Sequence, residues 1–154
     1  MIRLFCEWDE PLPGPGPTGL DLGHMTFIGD KGSCTSKNKI PSQSMMLFIS
    51  FAQLLYGLEQ LATRKLLEYM FVGADAGSFI VKFRATWGRR VTVRCQDVLI
   101  DEVDIIDLCR SILSDVQEFI ARPENQLPED DPGREDMSIA ITDLTQAISG
   151  SEAK

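Results

Sequence analysis

Residues 66–96 read LLEYMFVGADAGSFIVKFRATWGRRVTVRCQ and decide the fold of this chain. Apolar and polar side chains alternate along 67–71, 79–85 and 90–96, the period of strands with one buried face. The turn at Trp87-Gly88-Arg89 suits a three-residue hairpin loop, because glycine tolerates the left-handed conformation. We therefore predict a three-stranded antiparallel meander. The predicted pairs of the second hairpin are Ala85 with Val91, Phe83 with Val93 and Val81 with Cys95.

The first hairpin of this meander turns at residues 73–77, GADAG. Pairing across the centre of that loop sets like side chains against each other and opposite charges together, which supports the register. The predicted pairs are Phe71 with Phe79, Tyr69 with Val81 and Glu68 with Lys82.

The polar face of the meander is basic. Lys82 and Arg94 are predicted to lie directly opposite each other, which disfavours the sheet unless another group compensates. This face is either solvated or a docking site for an acidic group, such as the acidic tail of this chain. Binding of nucleic acid would need aromatic side chains among the basic ones, so none is expected. The candidate residues of this second face are Lys82, Arg84, Trp87, Arg90 and Arg94.

Two long helices are predicted around the meander. The first opens at 41–44, with Ser42 or Ser44 as its N-cap, and its first turns are apolar nearly all round, which is typical of a sandwiched helix. The second spans 101–122, with Asp101 as its cap, and its apolar stripe is expected to cover the apolar face of the meander.

Strand patterns also occur at 2–8, 25–29 and 33–40, while 11–19 (PLPGPGPTG) is predicted to be an exposed loop. The sequence thus predicts an α+β fold: an antiparallel sheet of about five strands packed on one face by two main helices, plus a short C-terminal helix. In the alternative arrangement, the N-terminal strands form a separate small sheet. The predicted units are a domain at 1–122, an acidic connector at 123–136, a helix at 137–149 and a frayed tail at 150–154.

Charge is divided unevenly along the chain. Residues 101–154 contain 14 of the 23 acidic residues but 4 of the 15 basic ones, and the net charge of the whole chain is −8. Such a surface attracts basic partners and repels nucleic acid. The candidate partner-binding residues are Asp104, Asp107, Asp115, Glu118, Glu129, Asp130 and Asp131.

No stretch of the sequence carries a catalytic or metal-binding signature, so we expect a non-catalytic protein without cofactor or metal. His24 is the single histidine, and its spacing to Cys6 and Cys34 is not that of a specific motif. The apolar stretch at 45–58 is too short to span a bilayer, and the N-terminus lacks the pattern of a signal peptide. We therefore expect a cytoplasmic protein, no membrane contact and reduced, mostly buried cysteines.

In size, charge and layout, residues 1–122 resemble the immunity proteins that bacteria keep against secreted toxins. The resemblance rests on no diagnostic motif, so no functional residue follows from it. It implies an inhibitor that neutralises a basic toxin by direct binding, since an acidic inhibitor would be steered to such a toxin quickly. Two other functions remain open: a homo-oligomeric adaptor or regulatory protein, for example a homodimer, and a small-molecule binder with a pocket between helices and sheet.

Overall fold

A computed structural model describes residues 1–12 and 16–152 of the chain. Within these residues the fold is α+β, as predicted, with two antiparallel four-stranded sheets and three α-helices. The strands are β1 Arg3–Trp8, β2 Leu22–Ile28, β3 Ser33–Thr35, β4 Met45–Met46, β5 Glu68–Gly73, β6 Ala76–Ala85, β7 Arg90–Cys95 and β8 Val98–Asp104. The helices are α1 Leu47–Ala62, α2 Ile105–Ala121 and α3 Pro132–Glu152, with a 3-10 turn at Pro123–Asn125.

The N-terminal strands form a sheet of their own, the alternative arrangement named above. Strand β2 is its centre and pairs with β1, β3 and β4. The turn between β2 and β3 reaches the second sheet, because the backbone N–H of Lys31 donates to the carbonyl oxygen of Ile100 at 3.0 Å. Residues 13–15, in the middle of the predicted proline-rich loop, lie outside the described residues.

The second sheet has the order β5-β6-β7-β8. All three predicted pairs of its β6–β7 hairpin are present. The predicted register of the β5–β6 hairpin is wrong by two residues, since Phe71 pairs with Val81 and Glu68 with Arg84. The hairpin turns tightly at Ala74-Asp75, with Asp75 at φ 68°, so β6 begins earlier than predicted. A shift of two keeps each side chain on its predicted face.

Strand β8 was not predicted, and it changes the start of the second helix. Asp101 lies within β8 and is buried, so it is not the helix cap. The carboxylate of Asp104 is the cap and accepts from the backbone N–H groups of Ile106 and Asp107. The prediction was wrong because the apolar run Val98-Leu99-Ile100 is very short. Such a run does not show whether the chain forms a strand there or a loop that leads into a helix.

Helix α1 is the centre of the core, as its apolar surface predicted. It packs against α2, α3 and β5. The serine caps were a wrong prediction: the chain first pairs with β2 at Met45–Met46, and the helix begins at Leu47 without a side-chain cap. The large buried side chains of α1 are Leu47, Phe48, Phe51, Leu54, Leu55, Leu58 and Leu61.

Helix α2 packs on α1 and β1 more than on the meander that it was predicted to cover. Helix α3 begins at Pro132, inside the predicted connector, and buries its predicted stripe partly against α1. Met137, Leu144 and Ile148 are buried and Ile141 is half-buried.

A disulfide joins the two sheets, linking Cys34 after the β2–β3 turn to Cys95 at the end of β7. The prediction that all cysteines are reduced is therefore wrong for this pair. Spacing could not reveal it, because the two residues are 61 positions apart. Cys6 and Cys109 are free, and burial raises the pKa of the Cys109 thiol to about 12.

Candidate functional site

Asp115, predicted to lie on a solvent-facing acidic surface, is instead a buried structural group of α2. Its carboxylate accepts two hydrogen bonds from Arg3, the shorter at 2.7 Å, and one from the backbone N–H of Leu4 at 2.8 Å. These contacts attach β1 to α2. Asp115 is therefore unavailable to a partner, which corrects its predicted role.

Asp104 is also engaged within the chain. Besides capping α2, its carboxylate accepts two hydrogen bonds from the Arg89 guanidinium at 2.9 and 3.0 Å. These bonds hold the pKa of the Asp104 carboxyl below its ordinary value, and the cap bonds act in the same direction. The N-cap position thus anchors the tip of the β6–β7 hairpin to the helix.

The exposed carboxylates of α2 are paired more loosely. Asp107 lies 3.6 Å from Arg110, and Glu118 lies 4.0 Å from Arg122. Both pairs are between residues three or four positions apart on the helix, which is a weak solvent-exposed arrangement.

A groove of about 610 Å³ runs between the N-terminus, β8 and α2. It contains three of the seven predicted acidic residues, yet each of its carboxylates has a cationic partner within the chain. Each of the six has a cation of this chain within 4.0 Å: the amino group of Met1 or the side chain of an arginine. The six are Asp30, Asp101, Glu102, Asp104, Asp107 and Asp115.

The carboxylates before and along α3 are different. Glu129 and Asp130 are exposed in the turn before the helix and form no ion pair among the described residues. Asp131 is occupied, because it accepts from the backbone N–H groups of Gly133 at 2.8 Å and Gly19 at 3.0 Å. Two of the seven predicted acidic residues therefore remain exposed without a cationic partner in this part of the chain.

A small notch between α1 and α3 continues this unpaired acidic surface. It measures about 170 Å³, and none of its lining residues is cationic. Tyr56 and Ile139 stand exposed at it, with 59% and 53% of their surface accessible. The notch is lined by Ala52, Tyr56, Glu59, Asp136, Ile139, Ala140 and Asp143, which we call the α1–α3 face.

Helical periodicity explains why these residues meet. Ile139, Ala140 and Asp143 follow Asp136 at i+3, i+4 and i+7, which places them on one side of α3. The start of α1 lies near the start of α3, since Phe48 and Met137 line one cavity, and the two C-terminal ends share another. The helices therefore run in the same direction, which brings Glu59 of α1 to the side of α3 that bears Asp136 and Asp143.

Sequence reasoning missed the α1–α3 face, although one signal was present. On the otherwise apolar α1, Gln53, Tyr56 and Glu59 recur three residues apart and mark its solvent side. Ile139 lies off the apolar stripe of α3, so its exposure could also be read from the sequence.

The second predicted face lies where the meander placed it. Lys82, Arg84 and Arg94 are exposed on the outer side of the second sheet, and Trp87 is 85% exposed at the hairpin tip. Arg90 instead approaches Glu102 of β8 at 3.8 Å. The acidic and basic surfaces therefore meet along β7, β8 and α2.

His24 lies in a network with the residue types of a hydrolytic triad. Its Nε2 is 2.7 Å from a carboxylate oxygen of Asp9, and its Nδ1 is 2.9 Å from the Ser36 hydroxyl. That hydroxyl also accepts from the backbone N–H of Met25, and Ser36 has no accessible surface. A nucleophile must reach its substrate, so this network secures β2 and β3 and is closed to catalysis.

Comparison with protein-family models, curated proteins and solved structures finds no match to this chain. No described helix combines the length and apolar character that crossing a bilayer requires. Among the described residues, no three histidine, cysteine or acidic side chains are grouped to hold a metal ion.

Proposed function

We propose that this chain is a non-catalytic protein-binding domain whose α1–α3 face docks a basic protein. The observation that carries the proposal is that exposed Tyr56 and Ile139 lie beside three carboxylates that have no cationic partner among the described residues. Aromatic and apolar anchors supply binding energy at interfaces, and charges around them steer the partner and select it. A basic toxin, neutralised by an immunity-type inhibitor, is the specific partner class that we favour.

The test uses the product of the gene adjacent to this one as the probe, with association measured at low and at high salt. The change is Asp136→Asn with Asp143→Asn, and the matched control, Asp107→Asn with Glu118→Gln, removes the same charge from α2. We expect the α3 variant to associate about tenfold more slowly at low salt and the control to change little, because steering depends on unpaired charge. A salt-independent rate, or equal effects of the two variants, would contradict the proposal.

The exposed tyrosine provides a second measurement on the same complex. Tyr56→Ala is expected to increase the dissociation rate with little change in association, since apolar contacts form after the encounter. Unchanged dissociation would remove Tyr56 from the interface.

Cellular location bears on this function. The predicted cytoplasmic location conflicts with the Cys34–Cys95 disulfide, because such bonds persist in oxidising compartments. The two locations are distinguished by denaturing the protein from its native cell without reductant, alkylating it and counting the modified cysteines. Two modified thiols would indicate an oxidising location, and four would support the cytoplasm.

A further inference from the structure

The outer face of the second sheet holds two rows of side chains that differ in charge balance. Cross-strand pairing aligns one row as Glu68, Arg84, Thr92 and Glu102, from β5 to β8. The next row is Met70, Lys82 and Arg94, and it ends at Arg94 because the β7–β8 register shifts between Val93 and Arg94. Directly paired residues point to the same side of a sheet, so each row is a line of neighbours. The first row contains both signs of charge, whereas the second contains two adjacent cations beside Met70.

Lys82 and Arg94 therefore face each other without a counter-ion. Neither has a carboxylate within 4.0 Å among the described residues. Of the nearest carboxylates in the register, Glu68 approaches Arg84 at 3.9 Å and Glu102 approaches Arg90 at 3.8 Å. Like charges placed directly opposite destabilise a sheet. A departure from local rules with no compensation in the fold is typical of a functional site.

The surface above this pair is concave. A shallow depression of about 530 Å³ is lined by Lys82, Arg84, Thr92 and Arg94, with Glu68, Ala85 and Thr86 on the side of the hairpin tip. Three cations therefore line one opening together with the hydroxyls of Thr86 and Thr92, and Glu68 is the one carboxylate among the described residues that line it. This arrangement suits a ligand that carries one compact anionic group and is otherwise uncharged. An extended polyanion would have to pass Glu68, and the described residues that line the depression include no aromatic side chain on which it could stack.

We infer that this depression binds a phosphomonoester. The phosphate group carries close to two negative charges and three acceptor oxygens, so it can match Lys82 and Arg94 together, whereas a carboxylate matches one cation. The planar guanidinium of Arg94 donates two parallel hydrogen bonds to phosphate oxygens, and Thr92 offers a hydroxyl. The chain has a net charge of −8, so recognition depends on contact at this site and not on attraction from a distance.

Backbone amide spectra of the whole chain test the inference, with inorganic phosphate as the first probe and chloride at equal ionic strength as its reference. We expect amides of residues 82–94 to shift with phosphate alone. Lys82→Gln with Arg94→Gln is expected to lower phosphate affinity about tenfold, while Lys65→Gln, an exposed cation elsewhere, leaves it unchanged. Equal shifts in chloride, or full binding by the double variant, would overturn the inference.

Two further probes identify the source of the phosphate. A neutral peptide that carries one phosphoserine should bind more tightly than inorganic phosphate if the ligand is a phosphorylated protein; equal affinity would indicate a free small molecule. The same peptide with glutamate in place of phosphoserine is expected to bind at least about tenfold more weakly, and equal binding would overturn the choice of phosphate. Association with the basic partner should be unchanged in the double variant, so this site and the α1–α3 face can fail separately.

Discussion

Helices α2 and α3 both belong to the acidic end of the chain, yet most of their carboxylates differ in pairing, although Glu152 at the end of α3 contacts Arg110 of α2. Asp104, Asp107, Asp115 and Glu118 of the α2 region each lie within 4.0 Å of an arginine of this chain. Asp136 and Asp143 of α3 have no such cation among the described residues, and they border exposed apolar side chains. A count of charge along the sequence treats the two helices alike. Whether a carboxylate can serve a partner depends instead on its internal pairing.

The largest difference in stability between variants of the two helices is expected when a buried carboxylate is removed. Asp115→Ala leaves the buried N–H of Leu4 without its acceptor and releases Arg3, so it should lower the free energy of unfolding by about 2 kcal/mol. Asp143→Ala on exposed α3 should change it by less than about 0.5 kcal/mol. Urea denaturation at neutral pH measures both. Similar values for the two variants would mean that the distinction between the helices is wrong.

A smaller effect is expected at the start of α2. Asp104→Ala removes the helix cap and should cost about 1 kcal/mol. The pKa of the Asp104 carboxyl is lowered in the folded state, chiefly by the hydrogen bonds from Arg89. Its contribution to stability is therefore complete above the unfolded pKa, near 3.9, and is lost as the pH falls through the lower folded value. The stability difference between wild type and variant should thus shrink as the pH falls below about 4. A constant difference down to strongly acidic pH would contradict the role of the charge.

The sequence could predict the meander because alternation and turn chemistry are local. The β6–β7 register was correct in every predicted pair, since a three-residue loop with Gly88 leaves little choice. The predicted β5–β6 register was wrong by two residues because GADAG contains two glycines, and this segment can form either a long loop or a tight turn. Both registers keep Phe71, Val81 and Phe83 in the core, so the alternation of hydrophobic residues could not distinguish them.

Other features depend on contacts between distant parts of the chain. Asp115 appeared to be on the solvent side of a helical stripe, and only the approach of Arg3, 112 positions away, buries it. The Cys34–Cys95 bond likewise depends on how the two sheets meet. The α1–α3 face combines residues about 80 positions apart, and periodicity in one helix cannot reveal which side of another it will meet.

The smallest expected effect on stability has opposite signs on the α1–α3 face and on α2. Glu59→Gln with Asp136→Asn and Asp143→Asn removes three neighbouring carboxylates that repel one another, so it should raise the free energy of unfolding by up to about 0.5 kcal/mol. Asp107→Asn with Glu118→Gln removes two helical ion pairs and should lower it by a similar amount. Both changes should fade at high salt, because these charges are exposed to solvent. Chemical denaturation of both variants at low and high salt provides the comparison. A loss of stability in the triple variant would show that the carboxylates of the α1–α3 face support the fold, and it would remove the reason to assign them to a partner.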